Sequence, residues 1–258
     1  MENISDREKE FVYTAAQFLE NPGFLIKAAN ALGKPLELMQ NSLPPMIRRK
    51  ISETAENALR KTLDISISTV APESLPKQPL LQGKKHSIAT AVTGAVGGFF
   101  GPLALAVELP VTTGIIFRSI ATIAQSFGED LSDPEVRMEC LQVFAMGSPQ
   151  SNVDDAMNSS YFAQRLALNS FLKKASETGT ASLLARFLAR VAARYEIVVA
   201  EKVMAEAIPV LGAAGGAAIN VAFTNFFNNT AYYHFGLRRL ERKYGADLVQ
   251  KLYLESLK

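Results

Sequence analysis

"TAVTGAVGGFFGPLALAVELP", residues 90–110, decides between a membrane-spanning chain and a folded helical one. The sequence carries no charge from Ser87 to Val107, and Glu108 then stands two residues before Pro110. At about 1.5 Å per residue, such a run would just cross a hydrocarbon core of roughly 30 Å. Its composition argues otherwise. Gly94, Gly97, Gly98, Gly101 and Pro102 lie in its middle, and each glycine costs a helix about 1 kcal/mol. Only eight of the 21 residues from 87 to 107 are Leu, Ile, Val or Phe. The stretch therefore reads as buried core helix, broken by a turn near Gly101–Pro102, and not as a span. Residues 207–237 are also uncharged, but Asn220, Asn225, Asn228 and Asn229 make their second half polar. "GAVGG" at 94–98 matches "GAAGG" at 212–216, and glycines four apart share a helix face where another backbone can approach closely. One match this short does not establish a duplication.

Outward from that stretch the periodicity is helical. "REKEFVYTAAQFLE" (7–20) puts Phe11, Ala15, Phe18 and Leu19 on one face. Asn21 before Pro22 has the form of an N-cap followed by a first-turn proline. "LPPMIRRKISETAENALRKTL" (43–63) starts a helix at Pro45 with an apolar stripe of Met46, Ile47, Ile51, Ala55, Ala58, Leu59 and Leu63. Pro72, Pro76 and Pro79 mark residues 69–86 as a linker. "SDPEVRMECLQVFAMG" (132–147) has Pro134 at a helix start and Gly147 at its end. Helical patterns continue through 151–175 and from about 180 to 206. No segment alternates with period two between turn signals. The expected fold is all-α: a single compact multi-helix bundle with Gly-rich buried central helices. Residues 1–19 form an N-terminal helix, and 20–254 form the main helical domain with the 69–86 linker inside it.

Composition narrows the function. Nearly half the residues are hydrophobic and a fifth are charged, the balance of a globular protein. A net charge of +2 gives no reason to expect nucleic acid as a partner. Cys140 is the one cysteine, so no internal disulfide framework exists. "MENISDREKE" (1–10) is charged and lacks an apolar run, so a cytoplasmic location is expected, peripheral at most to the inner face of the cytoplasmic membrane.

Candidates for chemistry are few. HExxH, GxSxG, CxxC and a phosphate loop ending in GKS or GKT are all missing. "VGGFFG" (96–101) has glycines but no lysine after them. Cys140, beside Leu141 and Phe144, reads as a buried apolar residue and not a nucleophile. Glu108 is costly to bury unpaired. If Pro110 opens a helix, Glu108 precedes it and meets the favourable end of the macrodipole. Arg118 lies ten residues on, about 15 Å along a helix, so Glu108 and Arg118 must each pair across to another helix. His234 and Arg238, four apart, share a face that can hold an anion; a hydrogen-bonded structural histidine is the plainer reading. Arg186, Arg190 and Arg194 line one helix face and call for acidic neighbours. Lys84 and Lys85, with Arg238, Arg239, Arg242 and Lys243, flank the two uncharged segments. Such clusters suit either solvent or an anionic membrane surface. No cofactor and no metal is expected.

The string from Gly97 to Gly147, "AIPVLGAAGGAAINVAFTNFFNNTAYYHFGLRRLERKYG" (207–245) and "NPGFLIKAANALGKPLELM" (21–39) with "ALRKTL" (58–63) together resemble the EcsC family. The resemblance covers about residues 20–245. Its motifs are long helices in order, not a catalytic signature. The matching positions are Gly97, Gly98, Glu108, Pro110, Arg118, Pro209, Gly212, Gly216, Asn220, His234, Arg238, Arg239 and Arg242. Aspartate is usual before the first proline, so Glu108 departs from the pattern. The resemblance implies a helical bacterial protein whose family takes its name from a companion of an ABC-type transporter in a secretion-related operon. The family has no settled activity, and its occasional peptidase label finds no matching residue here. Two functions are therefore weighed. The first is a non-enzymatic accessory factor binding a protein partner or an anionic membrane, linked to a transporter or secretion. The alternative is a peptidase-like hydrolase built around Glu108, Arg118 and His234, with Arg238 beside them.

Overall fold

Local signals start most of the helices. The Ser5 hydroxyl accepts the Glu8 N–H, and the Glu8 carboxylate accepts the Ser5 N–H in return, a reciprocal cap that opens α1 (Asp6–Leu19). Proline opens α2 (Pro45–Ser66), as its sequence predicts. Ile51, Ala55, Ala58 and Leu59 form its buried face, whereas Met46 is 83% exposed. At 3.6 residues per turn Met46 lies about 140° around the helix from Ile51, so it cannot belong to that stripe. The computed structural model describes residues 4–20, 45–66, 102–146, 161–162, 165–166, 170, 181–206 and 212–258. Asn21–Pro22, the 69–86 linker with Lys84 and Lys85, the glycines at 94–101, Gly147 and Pro209 lie outside these described residues.

The opening stretch ends in α3 (Pro102–Ser126), with Pro102 as its first residue and Pro110 inside it. The expectation that Pro110 opens a helix is thus corrected. A proline ring holds φ near the helical value but removes one N–H, a penalty of about 3 kcal/mol in a helix interior. Burial offsets it here, because Leu109, Thr112, Thr113, Ile116 and Phe117 are fully enclosed. Gly128, at φ 84°, supplies the left-handed residue that turns the chain after α3. Asp133 then caps α4 (Pro134–Gln142), its carboxylate accepting the Glu135 N–H at 2.8 Å. A short 3-10 turn, Val143–Ala145, extends α4.

Two long helices complete the frame, α5 (Ala181–Glu206) and α6 (Gly212–Tyr244). Gly245, at φ 92°, ends α6 and leads into α7 (Ala246–Glu255). Among the described residues there are seven α-helices and no strand. The protein is all-α.

Cross-links fix the helix directions. Glu108 of α3 meets Asn220 of α6 and Ser119 meets Asn228, so α3 and α6 run the same way. Lys202 of α5 meets Glu108 and Tyr195 meets Thr113, so α5 runs against both. The larger core lies among α2 to α6, where Phe117, Phe144, Tyr195, Phe223 and Phe227 pack ring against ring. A smaller core joins α1 and α7 to the far end of α6, with Tyr161 and Phe162. There the rings of Phe11 and Phe18 rest on Tyr232 and Tyr233.

Candidate functional site

Two groups of buried charge lie on α6, one toward each end. Near its start, Lys202 Nζ donates to Glu108 Oε1 at 2.7 Å and Asn220 Nδ2 donates to the same oxygen at 3.1 Å. The Lys202 side chain is 0% exposed and that of Glu108 8%. The Lys202 ammonium also sits 5.6 Å from the centre of the Phe223 ring, within cation–π range. Glu108 therefore pairs across to another helix, as its sequence context requires. Its setting is a helix interior and not a position ahead of the first turn, so the macrodipole has no part in it. Ions taken this far from water hold together only with good geometry and extra hydrogen bonds; Asn220 supplies one.

Toward the other end, His234 and Arg238 do hold an anion, and the anion is the protein's own. Arg238 Nη1 donates to Glu139 Oε1 at 2.7 Å, while His234 Nε2 faces Glu139 Oε2 at 3.2 Å, outside hydrogen-bond alignment. His234 Nδ1 lies 2.7 Å from the Tyr161 hydroxyl. Burial pushes the Tyr161 phenol up, so it keeps its proton and donates to Nδ1, which leaves the imidazole proton on Nε2, toward Glu139. Burial also lowers His234 below its ordinary value, against the pull of Glu139, and the ring stays neutral. Burial would raise Glu139, but His234, Arg238 and Arg165 outweigh it and hold the carboxyl below its ordinary range. Glu129 behaves alike: Arg238 and Arg242 overcome its burial.

The network then branches. Arg238 Nε donates to Glu129 Oε1 at 3.0 Å; Arg242 donates to that oxygen too and reaches the Phe127 carbonyl at 2.8 Å. Arg165 and Glu241 form a two-pronged pair at 2.7 Å on each side. Glu20 Oε1 accepts from the Tyr161 N–H at 2.8 Å and from the Tyr253 hydroxyl at 2.9 Å. Tyr161, His234 and Glu139 thus form a row that can hold a proton in place, and His234 and Glu139 are each 0% exposed. A substrate in solvent has no contact with them.

The four residues singled out in the sequence do not converge. His234 and Arg238 share Glu139. Glu108 lies beside Asn220, fourteen residues before His234 on α6, or about 21 Å along the helix. Arg118 is exposed and makes no ion pair among the described residues, so its expected cross-helix partner is corrected. A site built from Glu108, Arg118 and His234 is not assembled. Of the basic residues flanking the uncharged segments, Arg238 is committed inside, its side chain 17% exposed. Arg242 and Lys243 are exposed but bonded to Glu129 and Glu8, and Arg239 is exposed. Arg186 and Arg190 are exposed as well, and Arg194 is half-buried.

The buried partners Glu139 and Lys202 escaped the sequence reading, although each carries a signal. Lys202 follows Tyr195, Val198 and Val199 on the buried stripe of α5, and Glu139 lies on that of α4, after Val136 and before the buried Val143 of the 3-10 turn. A charge on an apolar stripe announces a buried partner without naming it. Cys140 is buried and free, and burial pushes its thiol up, as suits a packing residue. Among the described residues no group of three His, Cys, Asp or Glu side chains could hold a metal ion, and no helix is long and apolar enough to cross a membrane.

No curated protein and no solved structure matches the chain in a search of each. Residues 17–240 match the EcsC protein family, a span that includes Glu108, Glu129, Glu139, Lys202, His234 and Arg238 and most of α6. The chain belongs to the EcsC protein family.

Proposed function

We propose that this protein is a non-enzymatic accessory factor that works by docking, peripheral to the inner face of the cytoplasmic membrane, in the service of a transporter or secretion component. One observation carries the reading. The groups that could do chemistry, His234, Glu139, Arg238 and Glu129, are committed to one another inside the bundle, while cations are left on the outer side of the last turns of α6. Arg239 there makes no ion pair among the described residues, and Arg242 and Lys243 remain close to half exposed. Cations so placed are attracted to an anionic leaflet by about 1 kcal/mol each. The hydrolase alternative has no comparable support, since its three residues lie apart.

Sedimentation with lipid vesicles tests the proposal. The protein should pellet with vesicles containing phosphatidylglycerol at about 0.1 M salt and stay in solution with pure phosphatidylcholine. At about 1 M salt the Debye length falls from roughly 10 Å to roughly 3 Å, and the bound protein should be released. Failure to pellet with anionic vesicles, or retention at 1 M salt until detergent is added, would overturn it.

A further inference from the structure

Between α1 and α6 runs a cleft of about 720 Å³ that the buried charge groups do not use. Helical spacing builds its walls. Tyr232, Gly236, Arg239 and Lys243 recur along α6 at intervals of four, three and four, and Arg7 and Phe11 are four apart on α1, so each set lies on one face. The floor depends on Gly236. A Cβ there would overlap the Phe11 ring, so the ring lies directly on the α6 backbone. Phe11 meets Tyr232 edge-on at 5.5 Å between centroids, and Phe127 meets Tyr232 at 5.4 Å, which extends the apolar surface.

The rim is basic. Three cations, Arg7, Arg239 and Lys243, line it together with one carboxylate, that of Glu8. Glu8 is already occupied: it bonds the Ser5 hydroxyl and N–H, the Tyr244 hydroxyl and Lys243. Those contacts, the Ser5 hydroxyl foremost, hold it down to about 2, so it stays ionised and bound to its own helix cap. Arg7 and Arg239 are exposed and have no ion pair among the described residues. The cleft is thus lined by two arginines without an ion pair among the described residues, whose guanidinium groups match phosphate oxygens in pairs, and by aromatic rings, within the volume range of small-molecule sites.

We infer that this cleft binds one anionic phospholipid headgroup: Arg7 and Arg239 hold the phosphate ester and Lys243 adds charge. The floor of Phe11, Phe127 and Tyr232 takes the glycerol and the first carbons of the acyl chains. The inference rests on the membrane-peripheral reading above and names its recognition site. A phosphate ester with an apolar portion is also the chemistry of a nucleotide, so the test carries both.

Short-chain dihexanoyl phosphatidic acid, kept below its micelle concentration, is titrated into the whole protein by calorimetry beside dihexanoyl phosphatidylcholine, AMP and inorganic phosphate. The same is done with an Arg7→Gln/Arg239→Gln variant, and with an Arg118→Gln/Arg186→Gln variant that removes equal charge elsewhere. All four arginines are exposed, so unchanged circular dichroism and melting are expected to accompany both. Phosphatidic acid should bind the parent protein, and the cleft variant should bind about thirtyfold more weakly, at about 1 kcal/mol per charge. The control variant should bind like the parent, and AMP and phosphate far more weakly than the lipid. Equal weakening in both variants, or none in either, would overturn the cleft assignment. If anionic vesicles still pellet the protein in that event, the membrane reading survives without this site. AMP binding as tightly as the lipid would replace the headgroup with a soluble phosphate ester. No binding of the parent protein to short-chain lipid would sink the inference, and no binding to vesicles as well would sink both.

Discussion

The two ends of α6 bury charge in opposite ways. Beside Asn220, Lys202 and Glu108 are enclosed and joined through one carboxylate oxygen. Around His234 and Arg238 the charges form a branched set: Arg238 bonds both Glu139 and Glu129, and Arg242 shares Glu129. Glu108 has one cation bonded to it among the described residues, Lys202, so losing Lys202 leaves the carboxylate without that compensation. A branched set can lose one member and leave the others bonded. The first arrangement should be brittle and the second tolerant, although the second contains more charge.

Substitutions can break this contrast. Lys202→Met should have the largest effect, because it leaves the Glu108 carboxylate enclosed without a cation; the expected loss is about 3–5 kcal/mol in urea denaturation. Adding Glu108→Leu should restore most of it, since the charge to be compensated is then gone. A loss under about 1 kcal/mol would mean that water reaches the pair. Glu139→Gln should cost less, about 1.5–3 kcal/mol, because Arg238 keeps Glu129. A loss as large as that of Lys202→Met would show that the branches share nothing.

Acid should sharpen the contrast further, with its effect at the branched end. His234 is lowered from 6.5 by burial, so below that pH the unfolded chain takes up a proton that the folded protein refuses, and stability falls as pH falls. Glu139 and Glu129 are lowered from 4.5, against their burial, by their cationic partners. Their contribution is present above 4.5 and is lost as pH drops through their folded values, so both effects have the same sign. Melting temperature should decline from about pH 6.5 downward, and His234→Gln should flatten the first part of that decline. An unchanged slope would mean that the imidazole titrates freely. Arg118→Gln should have the smallest effect, within about 0.5 kcal/mol in the same denaturation assay, as for an exposed residue away from any such feature. A larger loss would reveal a partner for Arg118.

Short-range signals made much of the frame legible. Pro45, Pro134 and the 180–206 periodicity each act within a turn or two, and the helices begin or end where they indicate. Pro110 misled because its local meaning, a helix start, was overridden by the enclosure of its neighbours in α3. The spacing of His234 and Arg238 announced an anion-holding face. Its occupant, Glu139, is 99 residues from Arg238 in the chain, and no local pattern specifies a partner at that distance. Lys202 and Glu108, 94 residues apart, pose the same problem. Met46 was misplaced for a simpler reason: a stripe drawn by composition admitted a residue that lies on the far side of its helix.

The Glu20 carboxylate, which accepts from Tyr161 and Tyr253, has a consequence for how the protein is made. Its second partner follows 233 residues later, and Gln17 waits 239 residues for the Ser256 carbonyl. A ribosome adding about 5–20 residues per second needs about 10–50 s to produce that stretch. During this interval α1 has left the exit tunnel with Val12, Ala15, Ala16 and Leu19 bare, because the aromatic face of α6 and the whole of α7 are still to come. Helix α1, translated before every other described helix, is therefore among the last to find shelter, and a nascent chain stalled before Tyr253 would present it to chaperones and proteases.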